Sequence, residues 1–301
     1  MQVDLTLNQA SHLDLSLPPS EAKSSVREAC DDEGALRYAV AFDPAQSASV
    51  DAMEPVWLCV PGVPGSERDF RHLAPYLSLS APVYRLTFPG FGLLAEVEGA
   101  PYTTQARARY IERVIQAEGW GQVRLIGHSM GGPASLMVAS RTPSVVALGL
   151  VSSVGLRRHR AMRIGALGAR LLALLLMSPI LGSWLSRRGR ARFLRAGFRG
   201  HPLHRAQLRL IIQHVIGINF SELMRCADAL PSSVPTLCVW AKRDALIEES
   251  ISEELASAIS HAEVARLPQG GHNPQKYLPK ALSALLCDTF DRDRSEDRGR
   301  A

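Results

Sequence analysis

Seven short apolar runs, each followed by a stretch long enough for a helix or an insertion, constrain the fold of this 301-residue chain more than any other feature. They are ALRYAVAF at 35–42, VWLCV at 56–60, VYRLTF at 83–88, VRLIG at 123–127, VVALGLV at 145–151, TLCVW at 236–240 and EVARL at 263–267. Most are continuously apolar rather than alternating, which is the pattern of parallel strands buried on both faces. Helices fit between them: 103–118, with Ile111, Val114 and Ile115 on one stripe; 130–140; and 247–259, whose first turn carries Glu248 and Glu249, where the helix dipole favours acids. Strands alternating with helices imply an α/β fold with a mostly parallel, doubly wound sheet of about eight strands.

The alternation lapses between the fifth and sixth runs. Residues 155–230 therefore read as a helical cap inserted into a core formed by 35–154 and 231–287. Within it, Leu171 to Ser186 are uncharged but number only sixteen and include Pro179 and Gly182. A membrane span needs about twenty apolar residues, so a lid helix is expected instead. Residues 1–34, with the short alternations Val3, Leu5, Leu7 and Leu13, Leu15, Leu17, are expected to form a peripheral arm. Residues 288–301 are charged enough to predict a disordered tail.

The five cysteines Cys30, Cys59, Cys226, Cys238 and Cys287 have no metal-ligand spacing, and Cys59 and Cys238 sit in strand-like runs as small hydrophobes. The N-terminus, MQVDLTLNQASHLDL, lacks the basic and apolar regions of a signal peptide. Reduced thiols and a cytoplasmic location, peripheral to a membrane at most, are the expectation. Charge is unevenly spread: net charge is +5, yet residues 155–221 hold thirteen arginines and no Asp or Glu, leaving the remainder at −8. The segment pairs a Leu-rich stretch, Leu171 to Leu176, with Arg157, Arg158, Arg160 and Arg163 before it and Arg187, Arg188, Arg190, Arg192, Arg195 and Arg199 after it. An anionic lipid surface or a phosphate-bearing acyl carrier would be attracted to such a pairing. The competing reading is that the leucines pack on the core and the arginines pair with its acidic surface. Nucleic acid is not expected, because the arginines are not interleaved with stacking aromatics.

The chemistry-bearing residues fall at the carboxyl ends of the runs. Gly127-His128-Ser129-Met130-Gly131 joins a strand to a helix, and such a GxSxG turn lifts its serine onto a sharp corner at the positive end of the helix. Asp244 follows the strand at 236–240 and His272 follows the strand at 263–267, which brings both to the edge where open α/β sheets place their sites. His272 is thus expected to take the proton of the nucleophile Ser129, and Asp244 to orient the imidazole. The turn Val60-Pro61-Gly62-Val63-Pro64-Gly65 can aim a backbone N–H at a developing oxyanion. Pro61 and Pro64 have none, so the expected donors are Met130 and Val63, with Gly62 as the alternative to Val63. His128 is expected to pack beneath the turn.

VPGVPGS, FPGFG at 88–92, GHSMGG, WAKRDALI and PQGGHNP together resemble the α/β-hydrolase superfamily over about residues 35–285. The resemblance implies a serine hydrolase that cleaves a carboxylic ester or thioester, with a hydrophobic acyl substrate, an esterase or lipase type of cap and no cofactor. Many relatives have His-Gly where this chain has Pro61-Gly62, which puts the oxyanion turn in question. PGSERDFRHLAPYL is also similar to epoxide hydrolases and haloalkane dehalogenases, but those use an Asp nucleophile, against which Ser129 argues. Carbon–carbon bond hydrolysis, cofactor-free perhydrolysis on the same three residues and a non-catalytic binding role are the remaining alternatives. No metal-binding or nucleotide-binding motif occurs.

Overall fold

The computed structural model describes residues 2–4, 17–46, 54–95, 102–162, 166–195 and 204–298. Its strands are β1 (Gln2–Asp4), β2 (Ser24–Asp31), β3 (Gly34–Asp43), β4 (Val56–Val60), β5 (Val83–Thr87), β6 (Val123–His128), β7 (Val145–Val151), β8 (Thr236–Ala241) and β9 (Glu263–Leu267). They form one sheet in the order β1-β9-β8-β7-β6-β4-β5-β3-β2. Neighbours from β1 through β5 pair in parallel, whereas β3 pairs antiparallel with both β5 and β2. The helices are α1 (Ala74–Leu77), α2 (Thr104–Ala117), α3 (Gly131–Ala139), α4 (Ala166–Leu175), α5 (Pro179–Arg195), α6 (Arg205–Ile216), α7 (Phe220–Asp228), α8 (Glu249–Ala258), α9 (Pro274–Tyr277) and α10 (Pro279–Arg298).

Helices cover both faces, and the strand sequences say why. Successive residues of β4 point to opposite sides: Leu58 and Val60 join Ile111 and Val114 of α2, while Trp57 and Cys59 join Leu282 and Leu286 of α10. Both sets are fully or almost fully buried, so a run without alternation is what the strand requires.

Three boundaries differ from those the sequence suggests. The expected arm contributes two strands: β2 pairs with β3 along its whole length and β1 pairs with β9, while Leu5, Leu7, Leu13 and Leu15 lie outside the described residues. The expected tail continues α10 as far as Arg298, with 299–301 outside the described residues: Leu282, Leu286 and Phe290 recur every four residues and keep one face on the sheet, while Lys280, Asp288, Asp291 and Arg292 are exposed. Finally, α7 packs against α3 and α8 of the core, so the inserted layer is α4 to α6, in which α4 and α5 each pack on α6. In that layer Leu176, Leu208 and Ile211 are buried in the same apolar cluster as Val63, Phe91 and Met130.

Candidate active site

Ser129 sits between β6 and α3 with φ of 53°, in the left-handed region that a residue with a side chain adopts at a cost of about 1–2 kcal/mol. The surroundings hold it there. Its N–H donates to Val151 O at 3.0 Å, and its carbonyl accepts from Gly132 N and Val154 N, both at 3.1 Å. The end of β4 is pressed against the corner: a Cβ on Gly131 would lie 2.5 Å from Val60 O and 2.6 Å from Pro61 O. A Cβ on Gly62 would lie 2.9 Å from Ser129 Cβ. Only glycine lets these two segments meet at the serine.

His272, in the loop after β9, and Asp244, in the loop after β8, complete a hydrogen-bonded row. Ser129 Oγ lies 2.9 Å from His272 Nε2, and His272 Nδ1 lies 2.8 Å from Asp244 Oδ2. An ionised carboxylate only accepts, so the imidazole proton belongs on Nδ1 and Nε2 is the lone pair that faces the serine. Asp244 Oδ1 accepts from Leu246 N at 2.8 Å and Ile247 N at 3.0 Å, which fixes the carboxylate plane. Burial opposes ionisation of Asp244, but the hydrogen bond from His272, the electrostatic attraction of that ring and these two N–H groups outweigh it and hold the carboxyl below its usual range.

Buried groups support each arm. His128 Nε2–H donates to His272 O at 2.8 Å from beneath the turn, in the position expected of it. Burial, followed by the neighbouring His272, pushes its pKa down to about 4, so the ring is neutral near pH 7. His159 Nδ1–H donates to Leu246 O at 3.0 Å, bracing the Asp244 loop from the start of the insertion. The sequence offered no signal for that contact.

Arg107 is the residue that sequence reasoning missed. It lies on α2 and donates from Nη1 to Met130 O at 2.9 Å and from Nη2 to Pro61 O at 3.1 Å. Its guanidinium stacks 3.9 Å from the centroid of Phe88. One planar cation thereby grips both segments that carry the expected oxyanion donors, Met130 and Val63. It has no carboxylate partner among the described residues, and burial alone lowers its pKa to about 9, leaving it charged at pH 7. A signal was present: Arg107 is four residues before Ile111 and seven before Val114, a charge on the buried stripe of α2. Neither Met130 N nor Val63 N has an acceptor among the described residues, and both residues are nearly buried beside Ser129.

The model of the alpha/beta hydrolase family matches residues 57–280, and the chain belongs to that family. It is 28% identical over 263 residues to LipZ of Mycobacterium tuberculosis, named as a hydrolase, covering 78% of this chain and 89% of that one. It is 25% identical over 246 residues to RutD of Pantoea ananatis, named as a carbamate hydrolase, covering 73% and 83%. Among solved structures, one from Acinetobacter baumannii described as a lipase superposes with a TM-score of 0.67 at 18% identity, covering 91% of this chain and 93% of that one. The fold is thus an α/β-hydrolase fold, and the protein is a hydrolase of this family.

Proposed function

We propose that this hydrolase cleaves a carboxylic ester or thioester through an acyl-enzyme on Ser129. The observation that carries the reading is the unbroken row Asp244–His272–Ser129, with the serine at the mouth of α3 and two unused N–H groups beside it. Ser129 Oγ attacks the carbonyl carbon as its proton passes to His272 Nε2. Met130 N and Val63 N then stabilise the oxyanion, and the imidazolium is stabilised by Asp244. The alcohol or thiol departs with the proton from His272, and water, activated by the same ring, releases the acid. Leu208 and Ile211 of the insertion belong to the same buried apolar cluster as Met130 and Phe91, which favours an apolar acyl group.

Ser129→Ala is expected to lower turnover by on the order of 10⁶. Labelling with an active-site fluorophosphonate should be lost in the same variant. A chain-length series of aryl esters, acyl thioesters and, given the name of the RutD relative, aryl carbamates reads the acyl pocket directly. Full esterase activity in Ser129→Ala, or a fluorophosphonate adduct elsewhere, would overturn the reading.

A further inference from the structure

Six large apolar side chains stand exposed within fourteen residues of the insertion: Leu171, Leu174, Met177, Ile180, Leu181 and Trp184, with relative exposures from 39% to 85%. The first two lie on α4, the last three on α5, and Met177 in the turn between them. The axes of the two helices are bent by 118°. Single exposed apolar residues are ordinary, but a contiguous set marks an interaction surface. Beside α4 a groove of about 410 Å³ continues the surface, lined among others by Tyr102, Arg170, Leu174, Met177, Arg209 and Ile216.

Among the cations of the insertion whose side chains are described, some are held by the core and others are not. Arg157 pairs with Glu254 at 2.5 Å and Arg160 with Glu248 at 3.9 Å, so the first cluster does fasten onto the acidic core. Arg163 and Arg199 lie outside the described residues, as do the side chains of Arg190, Arg192 and Arg195. Arg170, Arg187, Arg188, Arg205 and Arg209 are exposed around α4, α5 and α6, and none is in an ion pair among the described residues. Arg188 lies 4.2 Å over the ring of Trp184. Residues 155–221 contain no acid to answer these cations.

We propose that the exposed face of α4 and α5 docks on an anionic lipid bilayer, its apolar side chains entering the acyl boundary and its arginines meeting the headgroup phosphates. Charge complementarity selects this occupant. A second copy of the chain would set cations against cations, and an acidic carrier protein would answer the arginines but leave the exposed apolar set unmatched. No single helix among the described residues is long and apolar enough to cross a membrane, so the pair lies in the interface plane. This docking is independent of which bond Ser129 attacks.

The test is co-sedimentation of the full chain with vesicles of phosphatidylcholine alone or mixed with phosphatidylglycerol, at low and high salt. Binding only to the anionic vesicles, weakening with salt, is expected. Arg187→Glu with Arg188→Glu should weaken it by on the order of 25-fold, about fivefold per surface arginine before counting the reversed sign. Ile180→Ser with Trp184→Ser should weaken it comparably. Both variants should retain wild-type turnover of a soluble short-chain ester, which reports folding. In a second measurement, anionic vesicles should shift tryptophan emission to the blue, and Trp184→Phe should abolish the shift, because Trp57 and Trp240 are buried already and the half-buried Trp120 lies between α2 and β6, outside the insertion. Ser129→Ala should bind vesicles like wild type, which separates this proposal from the catalytic one. Absence of binding to anionic vesicles, equal binding by the variants, or a dimer in solution that the apolar variant dissociates would overturn it.

Discussion

A single buried cation, Arg107, ties together the two segments at the mouth of the candidate active site. Arg107 replaces the flexible coupling of two loops by two hydrogen bonds from one rigid plane, a geometry that Lys cannot reproduce. Arg107→Met preserves the packing on Phe88 but releases Met130 O and Pro61 O. We expect it to lower kcat for a soluble ester by roughly 10- to 100-fold with KM little changed, less than the direct loss of an oxyanion donor. Arg107→Lys should recover only part of this in the same assay. His128 acts on stability. Its folded pKa, about 4, is below the 6.5 of a free imidazole, so the unfolded chain binds the proton more readily. The protein should therefore lose stability as pH falls from about 6.5 to about 4, by up to about 3 kcal/mol from this group. The contribution is fully present above pH 6.5. His128→Gln, which keeps an N–H for His272 O, should flatten that interval in urea unfolding measured at several pH values.

Among the elements, α10 departs furthest from what its composition suggests. Averaged over residues 288–301 the charge is high, yet the helix is decided by one stripe rather than by the average. Phe290 extends the stripe, is buried, and stacks on Trp57 with ring centroids 5.7 Å apart. One residue further, Asp291 pairs with the nearly buried Arg124. Phe290→Ala should cost about 3 kcal/mol or more in thermal or urea unfolding, as for other buried aromatic deletions. Activity on a soluble ester at 25 °C should persist, since the contact lies on the sheet face away from α2 and α8. The edge strand β2 illustrates the same point. From Arg27 to Asp31 its exposure alternates as in a strand with one half-covered side, but the sequence SSVREACD sets polar residues side by side at 24–25 and 27–28, so it lacks the alternation that would signal a strand.

At the scale of the whole molecule, the positive insertion and the negative remainder act at different ranges. Where arginines meet core carboxylates, as in Arg157 with Glu254, the contact is local and part of the architecture. Where they face solvent, their effect reaches about a Debye length, near 10 Å at 0.1 M salt. Turnover of a neutral short-chain ester should consequently change by less than about twofold between low salt and about 0.5 M, whereas turnover of a long-chain anionic substrate should fall severalfold. Steady-state rates on the two substrates across a salt series provide the check, and equal salt dependence would contradict it.

Local signals were enough for much of this protein. Continuous apolar runs determined the central strands almost to the residue, because a strand buried on both faces has no other way to be written. The GxSxG corner and the acid and histidine after successive strands determined which three side chains would meet, since parallel strands deliver their carboxyl ends to one edge. Tertiary structure alone decided the rest. It decided that Arg107 on a remote helix reaches two loop carbonyls, that α7 belongs with α3 and α8, and that β1 and β2 sit at opposite edges of one sheet. It also sorted the arginines into those held by the core and those left exposed beside leucines. Each of these depends on contacts between residues far apart in the chain, and no local periodicity or composition records which distant partner a side chain will find.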